Sequence, residues 1–112
     1  MKEQITYDIF DKIDIRLGTV ISVKKNEKAR KPSLVIEVDF GEEIGIKKTS
    51  AQITNYSIEN LIGKKCIAVI NLGEKQIGRI MSQCLILGSI DNKGNVLLVN
   101  PDKNASLGDK IS

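Results

Sequence analysis

The alternation of apolar and polar side chains between Ile13 and Lys24 constrains this chain more than any other feature. Ile13, Ile15, Leu17, Thr19, Ile21 and Val23 alternate with Asp14, Arg16, Gly18, Val20, Ser22 and Lys24. A period of two is that of a β-strand with one buried face, and only Val20 puts an apolar side chain on the other face. The stretch is about twice the usual strand length of roughly five to six residues. Gly18 within it marks a bend or bulge, the device by which one strand serves two sides of a small barrel.

The rest of the chain reads in the same terms. A second strand places Leu34, Ile36, Val38 and Phe40 opposite Val35, Glu37 and Asp39, and Gly41-Glu42-Glu43 turns it into a third strand from Ile44 to Ala51. Ser57 is a good N-cap for a short helix through Ile62, with Glu59 in its first turn and Gly63 as its left-handed exit. Cys66 to Leu72 is apolar on both faces except at Asn71, the pattern of a buried central strand. Arg79 to Gly88 forms another strand; Asn92 to Asn95 turns the chain so that Val96 to Val99 pairs back, and Leu107 to Ile111 adds a last short strand. Thr6 caps a helical turn from Tyr7 to Asp11. This order predicts an all-β domain, a five-stranded Greek-key OB barrel with a short helix between strands 3 and 4 and small terminal additions. An SH3-like barrel is the rival, and the helix favours OB. No linker, repeat or low-complexity run interrupts the chain, so residues 7–112 form one domain behind a short extension, residues 1–6.

Side-chain chemistry narrows the function. Histidine is absent, which removes the usual general base near neutral pH and the commonest metal ligand. No acid pair or Ser-Lys dyad replaces it, so a binding module is expected, without catalytic residues, metal or cofactor. Cys66 and Cys84 sit far apart among apolar neighbours and read as reduced core thiols. No apolar run approaches the roughly 20 residues of a membrane helix, and Met1 to Asp8 lacks the apolar core of a secretory signal, so a cytoplasmic location without membrane insertion is expected.

The net charge is only +3, but its distribution is uneven. The loop Lys24-Lys25-Asn26-Glu27-Lys28-Ala29-Arg30-Lys31-Pro32 carries five cations against one acid. It joins the first two strands, a connection that OB folds use against oligonucleotides. A solvated loop explains the charges alone; phosphate binding explains the charges and their place. Lys47 or Lys48 would join the cluster if the third strand contributes to the binding face. The segment from Asn71 to Leu85, with Lys75, Arg79 and Ser82, reads equally well as a binding rim or a plain hairpin. Ser50-Ala51-Gln52 reads as a strand-to-helix junction. Only Tyr7, Phe10, Phe40 and Tyr56 are aromatic, too few for a stacking platform, so folded RNA suits the surface better than single-stranded DNA.

Phe10-Asp11-Lys12-Ile13-Asp14-Ile15-Arg16-Leu17-Gly18-Thr19-Val20 resembles the opening of the tRNA-binding domain family, which also occurs appended to methionyl- and phenylalanyl-tRNA synthetases. Ala29-Arg30-Lys31-Pro32, Asp39-Phe40-Gly41, Glu43-Ile44-Gly45-Ile46-Lys47, Ser50-Ala51-Gln52-Ile53-Thr54 and the closing Pro101-Asp102, Gly108 and Lys110-Ile111 resemble the CsaA-type group more narrowly. The resemblance runs from Tyr7 to the C-terminus. It implies an OB fold, a homodimer, tRNA binding by the shape of the folded body, and chaperone-like binding of peptides or unfolded preproteins in export. A trans-acting tRNA-binding module assisting a synthetase is the alternative. The family's Asn-Leu and Ser-x-Gly-Met pattern falls on Asn71-Leu72 and Ser82-Gln83-Cys84-Leu85. Cys84-Leu85 replaces the Gly-Met pair, a departure shared by CsaA-like sequences that favours the peptide-binding branch. The expected tRNA contacts are Lys24, Lys25, Lys28, Arg30, Lys31, Lys47, Lys48, Lys75, Arg79 and Ser82; the expected peptide contacts are Asn71, Ser82, Cys84 and Leu85.

Overall fold

A computed structural model describes residues 1–112. Its elements are α1 (Tyr7–Phe10), β1 (Ile15–Lys25), β2 (Leu34–Asp39), β3 (Ile46–Ala51), α2 (Ile58–Leu61), β4 (Lys65–Val69), β5 (Lys75–Ile77), β6 (Ile80–Ser82), β7 (Leu85–Ile86), β8 (Gly88–Ile90), β9 (Val96–Leu98) and β10 (Lys110–Ile111). The main sheet runs β3-β2-β1-β4-β7 with every pairing antiparallel. Three consecutive strands and a fourth that returns beside the first make the Greek key of an OB barrel. The residues between β6 and β7 close it against β3: Gln83 N–H donates to Lys48 O at 2.8 Å, and Lys48 N–H donates to Gln83 Oε1 at 2.9 Å.

The long first strand is present, but its buried face is not the one alternation indicates. Val20 pairs with Val38 and Ser22 with Glu37, so Ile21 is an extra residue, a β-bulge that reverses the phase of the strand. Val20 and Val23 consequently both enter the core, while Ile21 is exposed. Gly18 is not the bulge. A Cβ there would lie 2.4 Å from Val38 Cγ1 and 2.9 Å from the Phe40 ring, so the missing side chain is what admits Phe40 to the core. Leu17, on the opposite face, is fully buried although it lies outside the main core cluster. Its N–H donates to Asp109 O and its carbonyl accepts from Gly108 N–H, so the C-terminal segment lies along it. β10 then pairs with the first residues of β1, Ile15 with Ile111 and Arg16 with Lys110.

Other expectations shift for local reasons. The third strand starts at Ile46 rather than Ile44, because Gly45 N–H still closes the turn on Gly41 O. The fourth ends at Val69, opposite Ile15 where β1 begins; Ile70 N–H adds one further in-register bond to Asp14 O. The strand expected from Arg79 to Gly88 is split into β6 and β7, because residues 83 and 84 turn their hydrogen bonds towards β3. Both short helices are capped by hydroxyls: Thr6 Oγ1 accepts from Ile9 N–H and Ser57 Oγ from Asn60 N–H. β8 and β9 form the small hairpin expected from the Asn92–Asn95 turn, outside the barrel.

Candidate nucleic-acid interface

The loop from β1 to β2 does not project freely. Its base is anchored by Asn26, a buried polar residue. Asn26 N–H donates to Ser33 O at 3.0 Å, which closes the loop on itself. The Asn26 amide Nδ2 donates to Ser50 Oγ on β3 at 2.8 Å and to Ile77 O on β5 at 3.2 Å. Ser50 Oγ in turn donates to Ser33 Oγ at 3.1 Å, and Ser50 N–H donates to Ser82 Oγ at 2.8 Å. One chain of polar contacts thus fastens the loop, the third strand and the β5–β6 hairpin together. Gly78 makes the approach possible: its φ is +65°, and a Cβ would stand 2.9 Å from the carbonyl carbon of Lys28.

This clamp brings Lys28, Arg30 and Lys31 of the loop and Lys75 of the hairpin around one open cavity of about 510 Å³. Its polar lining includes Ser33, Ser50, Gln52 and Gln76, and no carboxylate lines it. The single ion pair in the chain is Arg16 with Asp14, at 2.7 Å, so the four cations at the cavity have no internal partner. Cations left unpaired around a carboxylate-free concavity make a site for anions.

The remaining expected contacts fall elsewhere. Lys24, Lys25 and Arg79 lie on the other flank of the loop, around a second cavity of about 600 Å³ that Lys28 also borders and that includes Glu27. Lys47 and Lys48 join neither group: Lys48 is engaged through its backbone with Gln83, and Lys47 approaches Cys84 closely enough for its charge to act on the thiol. Ser82 is buried and its hydroxyl is committed to Ser50 and Thr49, so it shapes the site from within. Asn71 ties down the N-terminal segment, accepting from Asp14 N–H at 2.8 Å and donating to Lys12 O at 2.7 Å.

A third cavity, of about 320 Å³, adjoins the cationic one across the hairpin and shares Ser50, Lys75 and Ile77 with it. Leu72, Cys84 and Leu85 make its apolar side, and Leu72 and Leu85 are more than half and half exposed, at 63% and 50%. The Cys84 thiol is pushed up to about 11 by burial, against the opposing charge of Lys47; burial takes Cys66 up to about 12, reinforced by Cys84. Both sulfurs are therefore protonated near neutral pH and behave as apolar atoms.

The loop cations and Lys75 are legible in the sequence as candidates; the residues that assemble them are not. Ser50 and Gln52 were legible only as a junction, and Asn26 only as one polar loop residue. Their position beside the first loop of an OB barrel is the signal that marks them.

The family described as "Putative tRNA binding domain" matches residues 15–110. The methionine–tRNA ligase of Methanococcoides burtonii is 33% identical over 107 residues, which are 96% of this chain and 16% of that protein. That of Flavobacterium psychrophilum is 39% identical over 101 residues, 90% of this chain and 14% of that protein. The chain thus spans about a sixth of the length of these ligases. Among solved structures, the CsaA chaperone protein of Picrophilus torridus superposes with a TM-score of 0.92 at 47% identity, covering 97% of this chain and all of that one. Chaperone CsaA of Bacillus anthracis gives 0.91 at 38% identity, covering 98% of this chain and all of that one. The chain belongs to the tRNA-binding domain family, carried on an OB barrel. Within that family it is of the CsaA type, matching both of those chains over their full length.

Proposed function

We propose that this chain is a non-enzymatic, CsaA-like chaperone that binds tRNA at the cationic cavity and unfolded preprotein or peptide in the adjoining apolar groove, in cytoplasmic protein export. The observation that carries the RNA half is the meeting of Lys28, Arg30, Lys31 and Lys75 around a concavity with no carboxylate in its lining. Phosphates are the anions that such cations hold when they lie beside the first loop of an OB barrel. Replacing Lys28, Arg30 and Lys31 with alanine should weaken tRNA binding at least tenfold at low salt, by roughly half a kcal/mol or more per contact. Lys93→Ala, in the β8–β9 turn, should leave it unchanged. Equal affinity of the triple variant and the parent would remove the loop from the site.

The peptide half rests on the exposed Leu72 and Leu85 beside that cavity. Apolar side chains in a shallow groove accept extended chain with little regard to sequence. Leu72→Ser with Leu85→Ser, which adds no charge beside Lys75, should abolish suppression of client aggregation while leaving tRNA binding intact. The alternative, a tRNA-binding module acting in trans for a synthetase, is favoured by the likeness to methionine–tRNA ligases. Under that alternative the protein suppresses no client's aggregation at any concentration.

A further inference from the structure

We infer that the cavity between the loop and the β5–β6 hairpin takes an unpaired nucleotide of a folded RNA, rather than the backbone of a duplex. This rests on the assignment of that cavity to RNA and goes further, to what part of the RNA enters it. Three features of the lining carry the inference.

The first is shape. The cations do not lie in a row along a flat face, as phosphates on a duplex would require, but share one concavity of about 510 Å³. That is the scale of a site that encloses a small molecule. A duplex presents a convex surface and is read across its grooves, whereas a splayed nucleotide can enter a recess.

The second is the polar floor. Gln52 lies in the lining, is exposed, and its side chain makes no hydrogen bond within the chain. Its amide offers a donor and an acceptor together, the pairing that matches a base edge. Gln76 stands opposite on β5, with Nε2 donating to Gly78 O at 3.2 Å and its carbonyl oxygen left as an acceptor. Phosphate binding alone has no use for an amide acceptor. Side chains that accept as well as donate answer the mixed edge of a base.

The third is the planar group. The cavity has no aromatic ring in its lining, but Arg30 is exposed and free of any carboxylate. A guanidinium plane stacks on a base where no ring is present. Lys28, Lys31 and Lys75 then remain for the phosphates on either side.

The inference is tested with two labelled RNAs of equal phosphate number, a stem with an unpaired loop and a blunt duplex, titrated by fluorescence anisotropy. The stem-loop should bind about tenfold more tightly, the worth of one set of base contacts. Gln52→Ala should cut that preference by about threefold to tenfold, as for one or two lost hydrogen bonds, with the salt dependence of binding unchanged. Gln52 is exposed, and an unchanged melting curve of the variant checks that the fold is intact. Equal binding of the two RNAs, or a preference that Gln52→Ala leaves undiminished, overturns the inference. The variant lacking Lys28, Arg30 and Lys31 separates this failure from that of the site itself. If it loses affinity for both RNAs while the parent binds them equally, the site stands and the unpaired-nucleotide inference falls. If it binds both as the parent does, the RNA site itself is lost.

Discussion

At the scale of single residues, the barrel depends on one absent side chain and two hidden thiols. Gly18 leaves the space into which Phe40 and Val38 pack. Gly18→Ala forces a methyl against the packed side chains of Val38 and Phe40, and overpacking of this kind costs about 1–3 kcal/mol. Urea unfolding should register that loss, with no change in the cationic cavity, which lies on other elements. The thiols act through pH. Each has a folded pKa above its ordinary value of 9.0, near 12 for Cys66 and near 11 for Cys84. The unfolded chain therefore releases these protons first. Their contribution is complete below pH 9 and is lost as pH climbs from 9 towards 11 and 12. Stability measured by denaturant should fall across that window, and fall less steeply in Cys66→Ala, which has one thiol fewer to titrate. An equally steep fall in the variant would mean that Cys66 is not shielded as its burial implies.

At the scale of elements, the site is a clamp between segments distant in sequence. Asn26 and Ile77 are joined by a hydrogen bond, and so are Ser50 and Ser82. Asn26→Ala removes a buried amide and leaves Ser50 Oγ and the Ile77 carbonyl short of a donor, a loss of about 1–3 kcal/mol. The cations survive in this variant, so its tRNA affinity should drop while its salt dependence stays that of the parent. Gly78→Ala should act in the same direction by driving the hairpin off the Lys28 backbone. Hydrogen exchange at the loop amides would show either release.

The element scale is also where sequence and structure part company. Period-two patterning was enough to read β2, the β2–β3 hairpin, the capped helix α2 and the terminal hairpin, because each is governed by local chemistry. It misjudged the face of β1, since one inserted residue at Ile21 exchanges inside for outside and its one mark in hydropathy is Val20, apolar on the polar face. The five cations of the loop were legible as a run. That Lys75 would face three of them was not, because the contact is set by a buried asparagine and a glycine with positive φ, both ordinary loop residues in a sequence.

At the scale of the molecule, several large apolar side chains remain exposed at the two ends of the chain. Ile5, Tyr7, Ile9 and Phe10 near the N-terminus, Ile90, Leu97 and Val99 around the C-terminal hairpin, and Leu107 all face solvent. Surface of this kind calls for a covering partner. A homodimer, which the resemblance implies, would supply one; the protein should then sediment at twice 12.3 kDa at micromolar concentration. The central claim, however, concerns the cavity: a small barrel holds RNA by four cations that one clamp brings together. The most direct measurement is the slope of log affinity for tRNA against log salt, in the parent and in the variant with Lys28, Arg30, Lys31 and Lys75 all replaced by alanine. Each phosphate contact contributes about 0.7 to 0.9 to that slope, so its magnitude should shrink by roughly two to three in the variant. An unchanged slope would place the RNA on some other surface and contradict the account.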